Sequence, residues 1–285
     1  MIANTIGIIG LGLLGSAIAE RLVQGGFVVV GFDIDSQRMQ LVGKRGVQCV
    51  TSPAEVVRES NRVILSLPTS SIVESLLTEL EPDLPQGLTI VDTTTGEPAA
   101  TASLGKRLAQ QGINYLDATI SGSSEQVRAG DVIVMAGGEK RVCEFCSDLF
   151  STFAHTWFYT GPSGSGARMK LVVNLVLGLN RAALAEGLNF ARALDFELET
   201  TLQILQSSAA YSKAMDTKCR KMIAGDFTPQ AKLSQHLKDV RLILAEADRL
   251  KIKAPFSTLH QRMLTALDNA GDGDLDNSAV IKAFE

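Results

Sequence analysis

Lys170, Asn174 and Gly178 follow one another at intervals of four. On a helix that spacing places all three on one face, a turn apart. Leu171, Val172, Val173 and Leu175 surround this polar stripe. A lysine in the first turns of an apolar helix sits badly for the helix dipole, which disfavours cations at the N-terminus. The dipole and burial both act against its charge, which suits a group that gives or takes a proton near neutral pH. From these residues alone, a lysine that lies along apolar surface and keeps its ammonium in water fits equally well. Gly178 leaves room on the same face for a ligand or another backbone.

A second set stands near the N-terminus. The apolar run ending at Ile9 meets Gly10-Leu11-Gly12-Leu13-Leu14-Gly15, a helical stretch follows, and a second apolar run ends at Asp33. Strand, glycine turn, helix, strand and acid, in that order, are the layout of a dinucleotide-binding unit. Gly10 permits the tight turn, Gly12 lets the backbone approach a pyrophosphate, and Gly15 lets the helix pack close to the strand. The free N–H groups at the helix start then face an anion. A carboxylate at Asp33 accepts from ribose hydroxyls and repels a 2′-phosphate, so the expected cofactor is NAD, with NADP less favoured. Asp35 is expected to cap the helix starting near Ser36. Arg38, the one nearby cation, comes only after Ser36 and Gln37.

The elements that must hold these residues change character once along the chain. Strands are expected at 5–9, 28–32, 62–65, 88–91, 113–116, 132–136 and 156–159, with helical stretches between most of them. Such alternation predicts an α/β fold, a Rossmann-type doubly wound parallel sheet. The run from Gly161 to Gly166 interrupts it, and no strand pattern follows. A long helix over 167–193, then helices near 198–206, 212–223, 230–250 and 256–269, predict an all-α C-terminal domain. The expected division is 1–162 for dinucleotide binding and 163–285 for substrate and self-association.

Composition narrows the class. The chain has 285 residues, 45% of them hydrophobic, enough for a substantial core. A net charge of −4 without a basic block argues against nucleic acid as partner. Apolar runs such as 175–179 are too short to span a bilayer, and the N-terminus lacks a basic region before its apolar stretch. A cytoplasmic protein without a membrane partner is expected. Of the four cysteines, only Cys143 and Cys146 have suggestive spacing, and they fall inside a helical pattern with no further ligands nearby. Helix packing is the expected role, and no metal site is read. The three histidines, His155, His236 and His260, are scattered and form no catalytic arrangement.

Five blocks then resemble the β-hydroxyacid dehydrogenase family, the group that includes 3-hydroxyisobutyrate dehydrogenase and tartronate semialdehyde, glyoxylate and succinic semialdehyde reductases. They are Gly7-Ile-Ile-Gly-Leu-Gly-Leu-Leu-Gly15, Leu65-Ser-Leu-Pro68, Val91-Asp-Thr-Thr-Thr-Gly-Glu-Pro98, Asp117-Ala-Thr-Ile-Ser-Gly122, and Gly164-x-Gly166 with Lys170 and Asn174. Leu237-Lys-Asp239 adds a late match. The resemblance covers nearly the whole length. It implies Lys170 as general acid/base. It implies Ser121 and Gly122 as binders of a substrate carboxylate, with Asn174 holding the substrate as well. It places Thr95 between nicotinamide and substrate, Leu67 and Pro68 along the cofactor, and Lys238 and Asp239 closing the site. It also implies a homodimer or homotetramer formed through the helical domain.

Departures from the family pattern bear on the substrate. Ser123 replaces a glycine and is expected to add a hydroxyl to the pocket or narrow it. Gln126 and Val127 stand where Gly-Ala is usual, Asp131 follows Gly130, and Ala231 stands where many members carry Phe. The favoured expectation is an NAD-dependent dehydrogenase of a small 3-hydroxy acid. An NADPH-dependent reductase of a small aldehyde acid is set against Asp33. An imine reductase is set against Lys170. A non-catalytic dinucleotide-binding regulatory protein is set against Lys170, Asn174 and Ser121 together.

Overall fold

The computed structural model describes residues 4–284. They divide into two compact units, at Lys170 and Leu171.

The first unit alternates strand and helix. Its elements are β1 (Thr5–Ile9), α1 (Leu13–Gln24), β2 (Val28–Phe32), α2 (Ser36–Gly43), β3 (Gln48–Cys49), α3 (Pro53–Glu59), β4 (Arg62–Leu65), α4 (Ser70–Leu80), β5 (Thr89–Asp92) and α5 (Pro98–Gln110). There follow β6 (Asn114–Ser121), α6 (Ser124–Ala129), β7 (Ile133–Gly137), α7 (Lys140–Phe145), α8 (Ser147–Phe153) and β8 (Thr156–Gly161). The strands form one sheet in the order β3-β2-β1-β4-β5-β6-β7-β8. Strand order reverses between β1 and β4, so their C-terminal ends flank the crevice where such sheets bind ligands.

Alternation along β1 sends Ile6 and Ile8 to one face and Ile9 to the other. One face packs on α1, α6 and α8 through Ile18, Leu22, Val127 and Phe150. The other packs on α3, α4 and α5 through Val56, Leu77 and Leu104. Two features depart from the sequence expectation. β3 is a two-residue edge strand whose residues are exposed, so no apolar pattern announced it. β7 runs antiparallel to β6, while every other pairing is parallel. The link carrying α6 is too short for a parallel crossover, so the chain returns against its own direction.

Helix α9 (Ser165–Ala193) begins in the first unit and continues into the second. It has the length and apolar composition to cross a bilayer, which the short uninterrupted runs did not suggest. Its polar residues Lys170, Asn174 and Arg181 break those runs but not the helix.

In the second unit α9 is followed by α10 (Leu198–Ser207), α11 (Lys213–Ala224), α12 (Leu233–Arg249) and α13 (Pro255–Asn269), then 3₁₀ helices at Asp272–Asp274 and Asn277–Phe284. Its core joins Leu184, Leu188, Leu202, Met215, Leu237 and Leu264. A buried ion pair ties it at depth: the Lys218 ammonium donates to Asp276 at 2.9 Å. The backbone N–H groups of Gln230, Ala231 and Ser278 donate to the same carboxylate. Burial by itself would raise the Asp276 carboxyl, but these donors outweigh it and hold it at about 2. Cys143 and Cys146 are fully buried in the first unit, at α7 and its junction with α8. Burial raises both thiols to about 12, which suits packing rather than thiolate chemistry.

Candidate active site

The glycine turn is built by contact rather than by loop flexibility. Gly10 has φ of 93°, and a Cβ there would stand 2.3 Å from the Ser66 carbonyl oxygen at the end of β4. A Cβ on Gly15 would stand 1.9 Å from the Gly10 oxygen, so α1 can seat against β1 only with glycine at that position. Gly12 is different. Among the described residues, its missing side chain would meet only the Arg38 guanidinium within 4 Å. Gly12 is the N-cap of α1 and supplies no side-chain cap, and the first turn holds no acid. Asp33 holds Leu11 N just before the helix, and no side chain caps the first turn of α1 itself, which leaves that helix start for an anion, as a pyrophosphate site requires. Leu11 is buried, Leu13 exposed and Leu14 half-buried. These residues fit a dinucleotide.

Asp33 is buried and tied to this turn. It accepts from Leu11 N at 2.6 Å and from Asp35 N at 2.8 Å. Asp35 caps α2 through Gln37 N and Arg38 N. The structure also places a group that sequence spacing had discounted. Arg38 Nη1 lies 3.7 Å from Asp33, and Arg38 Nε lies 3.2 Å from Asp35. The signal was present as the i,i+3 step from Asp35, which folds the arginine back over the turn.

Further along the sheet edge, Leu67 rests against Gly10 and donates its N–H to Thr94 Oγ1 at 3.2 Å. Pro68 beside it is exposed, and Thr95 is half-buried just past β5. Below them Asp92 accepts from the Tyr115 hydroxyl at 2.6 Å and from Thr94 N at 2.9 Å. Burial raises the Asp92 carboxyl despite these donors.

β6 ends at Ser121, and Gly122 follows with φ of 148° and a Val132 methyl where a side chain would go. Ser123 is the N-cap of α6. Its hydroxyl accepts from Gln126 N, and Gln126 Oε1 accepts from Ser123 N at 3.0 Å. The two departures thus form one capping box. The Ser123 hydroxyl oxygen accepts within α6.

Lys170 Nζ donates to the Ile120 carbonyl oxygen at 2.6 Å. Its head is anchored beside Ser121 rather than carried into solvent. In the second unit, buried Asn174 donates through Nδ2 to Asp239 Oδ2 at 2.8 Å. That bond orients the amide so that Oδ1 is the side left to accept. Lys238 Nζ is 3.1 Å from Asp239 Oδ1, so Lys238 and Asp239 act on Asn174 through one carboxylate. The room at Gly178 is taken by protein: a Cβ there would meet His236 Nε2 at 2.5 Å and His260 Cε1 at 2.9 Å. The two imidazoles lie 5.2 Å apart, and burial followed by the Arg181 charge lowers His260 to about 4.

A glycine turn able to seat a dinucleotide, with a lysine anchored beside a Ser-Gly turn, defines a nicotinamide-dependent oxidoreductase. Comparison with known proteins agrees. A family model described as the NAD binding domain of 6-phosphogluconate dehydrogenase matches residues 5–161. One described as NAD-binding of NADP-dependent 3-hydroxyisobutyrate dehydrogenase matches residues 164–284. The 2-(hydroxymethyl)glutarate dehydrogenase of Eubacterium barkeri is 31% identical over 98% of this chain and 94% of its own length. The cytokine-like nuclear factor N-PAC of Xenopus tropicalis is 29% identical over 98% of this chain, which spans about half (53%) of that longer protein. The solved 3-hydroxyisobutyrate dehydrogenase of Mycobacterium tuberculosis is 25% identical, covers 99% of both chains and has a TM-score of 0.89. The chain belongs to the β-hydroxyacid dehydrogenase family, NAD(P)-dependent oxidoreductases of CH–OH groups on small hydroxy acids.

Proposed function

We propose that this protein interconverts a small 3-hydroxy acid and its carbonyl form with NAD, using Lys170 as general acid/base. The observation that carries the reading is the position of Lys170 Nζ, 2.6 Å from the carbonyl of the residue preceding Ser121. The Ser121 hydroxyl and the Gly122 backbone N–H are the donors for a substrate carboxylate. Gripping that end holds the carbinol carbon in place and restricts its approach. A nicotinamide held by the Gly10–Gly15 turn would supply the hydride acceptor or donor. Lys170 Nζ takes the hydroxyl proton in oxidation, and in reduction it stabilises and then protonates the developing alkoxide. The Asn174 carbonyl oxygen, turned away from Asp239, is the acceptor for a substrate hydroxyl.

Arg38 favours a second reading, an NADPH-dependent reductase of a small aldehyde acid. Its guanidinium, 3.7 Å from Asp33, offers a 2′-phosphate a cation. Buried Asp33 weighs against it by repulsion. Measuring kcat/KM with NAD and with NADP on a panel of 3-hydroxy acids and aldehyde acids separates the two. Lys170→Met should lower kcat about 10²–10⁴-fold with cofactor affinity kept. Lys170→Arg should rescue poorly, because guanidinium stays protonated. Near-normal turnover by Lys170→Met would end the mechanism. The methyl ester of the best acid should lose most activity, and equal turnover of the ester would remove Ser121 and Gly122 from the carboxylate site.

The subunit arrangement is proposed from α9. Met169, Val172, Val176 and Phe190 recur along its exposed side at helical spacing, and Phe190 is 65% exposed. A second copy of this chain covering that stripe gives a dimer or tetramer. Sedimentation of a Val176→Glu variant as a monomer is the expected result.

A further inference from the structure

The family fold leaves open what fixes Lys170 in place, and β6 carries the answer. α9 starts with no acid in its first turn, so its leading N–H groups need acceptors from elsewhere. Asp117, in the middle of β6 and only 1% exposed, accepts from one of them and from the residue just before the helix. Its Oδ1 accepts from Gly164 N and its Oδ2 from Ala167 N, each at 2.8 Å. Two residues on, Thr119 Oγ1 donates to the Gly166 carbonyl at 3.0 Å. One residue further, the Ile120 carbonyl accepts from Lys170. These contacts advance together along strand and helix, so they fix the register of one against the other. Gly166 lets them form: a Cβ there would lie 2.3 Å from the Asp117 oxygen and 2.6 Å from the Met135 oxygen.

We propose that Asp117 is a positioning residue, a buried carboxylate latch that caps α9 from β6 and thereby holds the Lys170 ammonium on the Ile120 carbonyl beside Ser121. This rests on the reading of Lys170 as the proton carrier. The latch contacts neither substrate nor cofactor. Asp92 on β5, Tyr115 on β6 and Cys143 on α7 face Asp117 with titratable groups. On α9 the cations that follow the capped Ala167 are Arg168 and Lys170, and Ile133–Gly137 of β7 carries no charge. Burial lifts the Asp117 carboxyl to about 6 against the pull of the Ala167 and Gly164 N–H groups. Protonation then removes one acceptor from the helix start, so the latch loosens as pH falls through about 6.

The test reads Lys170 directly. The full-length protein is labelled with trace acetic anhydride from pH 5 to pH 8, and Lys170 is quantified against exposed Lys106 by peptide mass spectrometry. In the parent protein the Lys170/Lys106 ratio should rise as pH falls through about 6. In Asp117→Asn the ratio should be several-fold higher and flat with pH, with dinucleotide Kd unchanged and kcat, not KM, reduced. Thr119→Val, which loses only the Gly166 contact, should raise the ratio by a smaller factor and keep the pH step; it serves alone if Asp117→Asn does not fold. Parent-like ratios in the folded variants, or no step near pH 6 in the parent, would overturn the proposal. If Lys170→Met retains turnover while the labelling behaves as described, the catalytic reading fails and the latch stands.

Discussion

Gly166→Ala sets two opposed effects against each other. Alanine improves helix propensity by about 1 kcal/mol over glycine. Against it, the added Cβ meets the Asp117 and Met135 carbonyl oxygens at 2.3 and 2.6 Å, where ordinary contact begins at 3.4 Å. Both oxygens belong to paired strands inside the sheet, at positions where β6 and β7 are registered residue against residue. Neither can retreat cheaply, so α9 must move out by about 1 Å. Overpacking of this kind costs about 1–3 kcal/mol. Weakening the Thr119–Gly166 and Asp117–Ala167 hydrogen bonds adds about 1 kcal/mol each. The clash wins, and the net loss is about 2–4 kcal/mol after the propensity gain. For a unit of this size that lowers the melting midpoint by about 5–15 °C. A shift of about 1 Å at Lys170 also costs up to about 10²-fold in turnover. Gly187 in the same helix is the control, since none of the described residues lies within 4 Å of its missing Cβ. Gly187→Ala should raise stability by up to about 1 kcal/mol. Calorimetric melts and kcat for both variants decide the matter. A Gly166→Ala protein as stable and active as the parent would refute the seating of α9 on β6.

Other outcomes follow from the charges. Asp33→Asn should shift the NADP/NAD ratio of kcat/KM toward NADP by about tenfold, on the scale of 1–2 kcal/mol for partly screened charges. An unchanged ratio would assign the preference to Arg38. His260 has a folded pKa of about 4, below the ordinary value near 6.5. The unfolded chain therefore takes up the extra proton between those values. Stability present above about pH 6.5 is lost as pH falls to about 4, by about 3 kcal/mol. Urea melts of His260→Leu should show a flatter profile over that window; an identical slope would clear His260. Lys218→Met strands the Asp276 carboxylate among backbone donors at depth and should cost about 3–5 kcal/mol in the same assay. A loss below about 1 kcal/mol would mean that those N–H groups suffice.

Local pattern carried most of the architecture. The glycine turn, the alternation of strands and helices, the break at 161–166 and the long helix after it are all written in short-range periodicity. Each such element satisfies its own backbone and sorts its faces within a few residues. The family motifs point to Lys170, Asn174 and Ser121 for the same reason, because helix spacing and turn glycines are local. Ser123 and Gln126 are legible too, as a Ser-x-x-Gln capping box, a local signal that the comparison with the family pattern passes over. What the tertiary structure alone decided lies in contacts far apart in the chain. Asp117 reaches α9 across 47 and 50 residues, Lys170 reaches Ile120 across 50, and Asn174 reaches Asp239 across 65. The reversal of β7, the histidines filling the space at Gly178 and the place of Arg38 beside Asp33 are of this kind. A side chain's own residue type sets what it can donate or accept. Which partner it meets depends on how sheet and helix faces are brought together, and no local spacing encodes that.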